Sequence, residues 1–181
     1  AGRIPVLDVY VDSPMAVDAT EIYRRFSRDL NFDWSKTATP LATSRTRFVK
    51  KTEDSKKLHE VSGRAIIISA SGMATGGRIL HHLRRRLPDA RNTVLFAGYQ
   101  VDGTRGRKLV DGAPSIKMFG EGVEVRARVE DLRAFSAHGD RDDLLRWVGS
   151  LETTPRRTFV VHGEPVAAAS LLLWDELLRI P

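Results

Sequence analysis

Two hydrophobic periods alternate along this chain. Ala65 to Ile68 is a short apolar run holding three consecutive isoleucines, which predicts a strand covered on both faces. Ser69 to Gly77 is small and polar, and Ile79, Leu80 and Leu83 then recur at helical spacing. The stretch reads as a strand, a glycine-rich turn and a helix that begins at Gly76 or Gly77. The same succession appears twice more. Ile4 to Val11 reads as a strand, Ser13 as a helix N-cap, Pro14 as the first helical residue, and Val17, Ile22, Tyr23 and Phe26 as an apolar helix face. Thr93 to Gly98 reads as a buried strand, Gln100 to Arg107 as a glycine turn, and Lys108 to Asp111 as a short helix. Three such units predict an α/β fold with a doubly wound, mostly parallel sheet. The turns at Ser13, at Ser71 to Gly77 and at Gln100 to Arg107 would share the carboxyl edge of that sheet, where ligands gather.

Between these units the pattern is weaker. Asn31 to Thr46 is irregular, with Trp34 and Pro40 as anchors, Phe48-Val49 suits a short strand, and Asp54 to Val61 suits a short helix with Leu58 and Val61 inward. Near Gly112 the period becomes two. Ser115 to Phe119 and Val123 to Val129 flank Gly120-Glu121-Gly122, which predicts a hairpin and a sheet no longer purely parallel. A helix follows from Arg141 to Leu151, with Asp140 as N-cap and Asp143 in its first turn, then a strand over Arg156 to Val161 and a last helix from Pro165 to Leu178. The change of period places a domain boundary near Gly112 to Gly122, giving domains 1–118 and 119–181. Opening directly on a strand is read as a start within a domain.

Composition narrows the chemistry. The chain has 181 residues, 41% of them hydrophobic and 29% charged, so a packed core is expected. It has no cysteine, so any metal must rely on His, Asp or Glu. No apolar run reaches the length of a membrane span and no signal peptide is seen, so the cytoplasm is the expected compartment. The net charge of +6 suits either a polyanionic partner or an ordinary basic protein. Clusters at Arg84-Arg85-Arg86, Lys50-Lys51, Lys56-Lys57 and Arg105 to Lys108 favour the former. The backbone N–H groups at the start of the 79–83 helix would face an anion, with Arg78 as a mobile positive charge beside them.

Two of the five histidines occupy matching positions. His138 in Ser136-Ala-His-Gly-Asp140 and His162 in Val161-His-Gly-Glu164 each lie between a strand and a helix, and each is followed by Gly and an acidic residue. Such a pair can bind a metal as imidazole, or hold a phosphate and act as general acid as imidazolium. Asp140 and Glu164 read as capping groups or as groups that orient these histidines. His59 reads as a surface or boundary residue, and the adjacent His81 and His82 would point apart on their helix. Asp12 and Glu121 carry no signal of their own. No HxHxDH cluster is present, so composition alone cannot build a complete two-metal site in one subunit.

Taken together, Ser69-Ala-Ser-Gly-Met-Ala-Thr-Gly-Gly-Arg78 with Leu80-His-His-Leu83, Asn92 to Gln100 with Gly103-Thr-Arg-Gly-Arg107, Phe135-Ser-Ala-His-Gly-Asp140 and Val161-His-Gly-Glu-Pro165 resemble the beta-CASP group of the metallo-β-lactamase superfamily. Within it, the chain is most similar to RNA-processing nucleases related to the cleavage and polyadenylation endonuclease. The resemblance runs in order over nearly the whole chain. It implies a beta-CASP domain capping a metallo-β-lactamase domain, RNA between them, and two zinc ions whose hydroxide attacks the phosphodiester. His162 matches the last metal-ligand histidine, and His138 the histidine that stabilises or protonates the scissile phosphate. Ser71, Gly72, Thr75, Gly76, Gly77 and Arg78, with Gln100, Thr104 and Arg107, match surfaces that hold the RNA backbone.

The resemblance also implies that this is the C-terminal portion of such an enzyme: most of the beta-CASP domain and the closing β/α part of the lactamase domain. The implied partners are RNA, the N-terminal lactamase half, and a second copy, since members of the group often dimerise. One ligand cannot hold two zinc ions, so the chain alone is expected to be inactive. A non-catalytic RNA-binding module is the rival reading. A nucleotide-binding α/β domain is a third, but it leaves His138 and His162 unexplained and finds neither GxGxxG nor P-loop spacing.

Overall fold

A computed structural model describes residues 5–29, 42–132, 138–153, 155–161 and 163–177, with side chains through residue 171. The chain divides into two compact units, residues 1–135 and 136–181.

In the first unit, strand β1 (Asp8–Val11) lies between β2 (Thr46–Phe48) and β3 (Ala65–Ile68), all parallel. A second parallel pair joins β4 (Thr93–Ala97) to β7 (Arg128–Leu132). Strands β5 (Ser115–Met118) and β6 (Glu121–Glu124) form the predicted hairpin, turned by Phe119 and Gly120, both at positive φ. That pair of left-handed residues is the geometry a tight hairpin turn demands. The helices are α1 (Pro14–Arg25), α2 (Thr52–Lys57), α3 (Arg78–Arg86) and α4 (Arg105–Val110). The parallel α/β character expected from the sequence is present, but as separate parallel ladders rather than one continuous sheet.

The main core gathers Leu80, Leu83 and Leu87 around Phe96, Leu109, Ile116 and Met118, and a smaller cluster joins Tyr10, Val49 and Leu58. Four expectations fail against this packing. Strand β4 is not a buried strand, because only its Phe96 is buried and Leu95 is 59% exposed. Strand β3 is not covered on both faces, because Ile67 packs in the small cluster while Ile66 and Ile68 stay 42% and 50% exposed. On α1, Val17 is buried, but Ile22, Tyr23 and Phe26 are exposed. The expected strand over Val123 to Val129 is interrupted. The N–H groups of Arg126 and Ala127 both donate to the Leu87 carbonyl at the end of α3, 2.8 Å in each case. A helix terminus leaves such carbonyls without partners, and the chain bends here to satisfy one before entering β7.

Residues 30–41, which include the proposed anchors Trp34 and Pro40, lie outside the described residues.

In the second unit, α5 (Arg141–Gly149) starts with a capping box. The Asp140 side chain accepts from the Asp143 N–H at 2.8 Å, and the Asp143 side chain accepts from the Asp140 N–H at 3.2 Å. Helix α6 spans Pro165–Leu177. The strand expected over Arg156 to Val161 makes no ladder among the described residues.

Candidate nucleic-acid interface

The described candidate residues concentrate where β1, β3 and β4 end. Asp12, one residue past β1, is fully buried and anchors this edge. Its Oδ1 accepts from Arg78 Nη1 at 2.8 Å, and its Oδ2 accepts from Ser55 Oγ at 2.6 Å and His82 Nε2 at 2.7 Å. Burial pushes this carboxyl up, but the hydrogen bonds from Ser55, His82 and Arg78 outweigh it and hold its pKa below the ordinary 3.8. Arg78 and His82 are one helical turn apart on α3, so one carboxylate reaches both.

Arg78 therefore differs from the mobile cation that the sequence suggested. Its guanidinium also donates to the carbonyls of Val49 at 3.1 Å and Lys50 at 2.7 Å. It braces the start of α3 against the loop after β2. The adjacent histidines do point apart. His82 is buried on Asp12, and His81 is exposed, its ring 4.7 Å from that of Phe119. The Arg84 to Arg86 cluster is turned onto the protein. Arg84 pairs with Glu121, while Arg85 and Arg86 donate to the carbonyls of His59 and Leu58. Burial, then Arg85, lowers the pKa of Arg86 below its ordinary value.

The turn between β3 and α3 is built from small residues. Gly77, at φ 78°, is the N-cap of α3, and no side chain caps the helix. The N-cap thus offers the first N–H groups of α3 no side-chain acceptor, the arrangement that favours an anion. Ser71 Oγ and Thr75 Oγ1 are hydrogen-bonded at 2.9 Å. Two open hollows flank the turn, one of about 360 Å³ touching Ser13, Gly76 and Gly77, the other of about 380 Å³ between Ser71 to Thr75 and Ala97 to Gln100.

The turn after β4 is pinned to the first. Gln100, only 5% exposed, donates from Nε2 to the carbonyls of Gly72 and Gly98, both at 3.1 Å. The Gly106 N–H donates to the Met73 carbonyl at 3.0 Å. A Cβ on Gly106 would fall 1.8 Å from Gln100 Oε1 and 3.1 Å from the Met73 carbonyl, so this approach requires glycine. Gln100 and Thr104, matched from the sequence to RNA-holding positions, are thus used inside the fold. Thr104 caps α4, accepting from the Arg107 N–H at 3.1 Å and donating to the Val101 carbonyl at 2.6 Å. Arg107 pairs with Asp111 one turn on. Arg105, which the sequence placed only in a charge cluster, donates to the carbonyls of Thr75 at 3.1 Å and Lys117 at 2.9 Å.

The edge therefore brings together Ser71, Gly72, Thr75, Gly76, Gly77, Arg78, Gln100 and, through α4, Thr104 and Arg107. Sequence reasoning missed Asp12 as their organiser. Its visible signals were a carboxylate at a strand end and an Arg and a His spaced one helical turn apart. In the second unit His138 is exposed just before α5, and Asp140 serves as the cap of that helix. His162 lies outside the described residues. A catalytic zinc takes three protein ligands. Among the described residues no three His, Asp or Glu side chains converge to hold one, so these residues do not make a zinc site by themselves.

Comparison with known proteins adds the following. Residues 1–109 match the model of the Beta-Casp domain, and residues 122–176 match that of the Zn-dependent metallo-hydrolase RNA specificity domain. The chain is 38% identical over 166 residues to ribonuclease TTHA0252 of Thermus thermophilus, covering 90% of this chain and 38% of that protein. It is 32% identical over 180 residues to transcription termination factor FttA of Methanosarcina mazei, covering 94% and 28%. It is 31% identical over 185 residues to an RNase J-like protein of Methanocaldococcus jannaschii, covering 100% and 42%. The chain thus spans between 28% and 42% of the length of these relatives.

Proposed function

This chain belongs to the beta-CASP family of nucleic-acid-processing metallo-hydrolases, and from that premise we propose that it forms part of a zinc-dependent ribonuclease hydrolysing RNA phosphodiester bonds. In this reading residues 1–118 are the beta-CASP domain and residues 119–181 close the metallo-β-lactamase domain. The Ser71 to Gly77 turn and the uncapped start of α3 hold RNA phosphate. His138 stabilises or protonates the scissile phosphate. His162 is one metal ligand, and the other zinc ligands come from outside the described residues. RNA, a lactamase half and a second copy are the partners, and the cytoplasm is the compartment. No helix among the described residues is long and apolar enough to cross a membrane.

One observation supports the reading most. Two turns at the ends of parallel strands are latched together through Gln100 and Gly72, and beside the latch a nine-residue helix begins with no side-chain cap. Backbone N–H groups at such a start bind phosphate without reading sequence, as a processing nuclease requires.

The test incubates the chain and its His138→Ala variant with labelled single-stranded RNA, with and without zinc. Zinc-dependent cleavage that disappears in His138→Ala supports a nuclease complete in this chain. RNA binding that weakens steeply with salt, without cleavage, marks the chain as a binding module acting alone. Absence of binding and cleavage together defeats both.

A further inference from the structure

The hollow of about 360 Å³ beside Gly76 and Gly77 has one long unbranched apolar side chain in its wall, that of Met15. Met15 is the second residue of α1 and is 70% exposed. The other two methionines are less open. Met118 is fully buried in the main core, and Met73 is half-buried. The chain has no cysteine, so no thiol competes for an oxidant, and the thioether of Met15 is its most accessible soft nucleophile.

The two helices that begin at this hollow differ at their first turn. The start of α1 is satisfied by its own sequence. Ser13 Oγ accepts from the Ala16 N–H at 3.2 Å, the Ser13 carbonyl accepts from the Val17 N–H at 3.0 Å, and Pro14 has no N–H to satisfy. The start of α3 has Gly77 as N-cap and no side-chain acceptor. A new acceptor carried into the hollow by Met15 therefore finds the uncapped donors at α3. Oxidation supplies such an acceptor. With hydrogen peroxide as oxidant, a sulfur lone pair forms the S–O bond as the O–O bond breaks. The departing hydroxide takes the proton of the transferred oxygen and leaves as water. Sulfur is oxidised and peroxide reduced, and the side chain gains a strongly accepting oxygen without gaining charge.

We propose that Met15 is a reversible oxidation site, whose sulfoxide oxygen accepts from the first N–H groups of α3 and competes with phosphate for them. The proposal rests on the RNA reading above and adds a regulation to it. Reversal takes a dithiol, which becomes a disulfide while the oxygen leaves as water, the reaction of methionine sulfoxide reductases.

The test treats the chain with hydrogen peroxide, follows each methionine by peptide mass spectrometry, and measures labelled single-stranded RNA by fluorescence anisotropy over a salt series. Met15 oxidises at least about tenfold faster than Met118. The oxidised chain binds RNA about threefold to tenfold more weakly, with an unchanged salt slope because the sulfoxide is neutral. Treatment with both epimer-specific sulfoxide reductases and dithiothreitol restores the affinity. Met15→Leu keeps its own affinity through the same peroxide treatment. Met15→Gln, which carries a neutral carbonyl acceptor at a similar reach, is weakened without peroxide. Oxidation of Met15 no faster than Met118, oxidised chain that binds as tightly as untreated chain, or equal peroxide sensitivity in Met15→Leu overturns the oxidation site while leaving RNA binding intact. Failure of the untreated chain to bind RNA overturns the underlying reading and the competition with it, so the two failures are distinguishable.

Discussion

Oδ2 of Asp12 lies 2.7 Å from Nε2 of His82, a residue seventy positions further along the chain. The bond joins the end of β1 to the middle of α3, and the other oxygen of the same carboxylate holds Arg78 at the start of that helix. The position of the uncapped α3 N-terminus is therefore set by one buried anion with donors from two helices.

Replacing Asp12 with Asn is expected to cost about 3–5 kcal/mol, because it leaves the Arg78 guanidinium without its buried counter-charge. Denaturant unfolding measures this. The pH dependence follows from the depressed carboxyl pKa. The contribution is fully present above the ordinary value of 3.8 and is lost as pH falls through the lower folded-state value. Asp12→Asn abolishes this acid-side loss, and an unchanged acid limb in the variant contradicts the assignment.

His59 packs edge-on against His82 with ring centroids 5.6 Å apart. Burial, followed by the nearby His82, Arg85, His81 and Arg86, lowers its pKa below the ordinary 6.5. The folded protein thus takes up this proton less readily than the unfolded chain. Stability is accordingly expected to fall as pH drops below 6.5 and to level off once pH has passed the folded-state value. His59→Asn flattens that window, as thermal unfolding at a series of pH values will register.

Gly106→Ala is expected to destabilise by about 1–3 kcal/mol, despite the better helix propensity of alanine. The new methyl group meets Gln100 Oε1, and that side chain cannot withdraw without breaking its bonds to Gly72 and Gly98. Paired with Gln100→Ala, the substitution becomes much milder. A double-mutant cycle that finds the two effects additive contradicts the latch.

Gly77→Ala forces an alanine into the left-handed region at φ 78° and is expected to cost about 1–2 kcal/mol. Its Cβ would otherwise meet only the Ala70 carbonyl at an ordinary 3.5 Å, so the cost is one of backbone conformation. Gly77→Asn is expected to cost as much, because at ψ −167° the backbone lies outside the left-handed helical basin that asparagine tolerates. An unfolding midpoint for either variant equal to that of the wild type speaks against the conformational origin.

Much of the fold was legible in local pattern. The isoleucines of β3, the glycines before α3, the hairpin around Gly120 (whose turn falls at Phe119–Gly120 rather than over Gly120 to Gly122) and the Asp140 cap of α5 follow from propensity and spacing among near neighbours. Gly76 and Gly77 were likewise readable as a helix start. The use made of Arg78, Gln100 and Thr104 was not, because a polar side chain beside a glycine turn serves equally to meet a ligand or to fasten the turn. Which it does depends on acceptors such as the Lys50 carbonyl and the Gly72 carbonyl, which lie 28 residues away from Arg78 and Gln100 respectively.

The sequence by itself determined the strand–turn–helix units, the hairpin and the family, because each is written in neighbouring residues. The tertiary structure decided that Asp12 organises the edge, that Arg78, Arg85 and Arg86 of α3 donate to backbone carbonyls, and that Val123 to Val129 breaks at the end of α3. Those outcomes rest on burial. A buried charge or carbonyl must find its partner wherever the fold brings one, and separation along the chain does not reveal which partner that is.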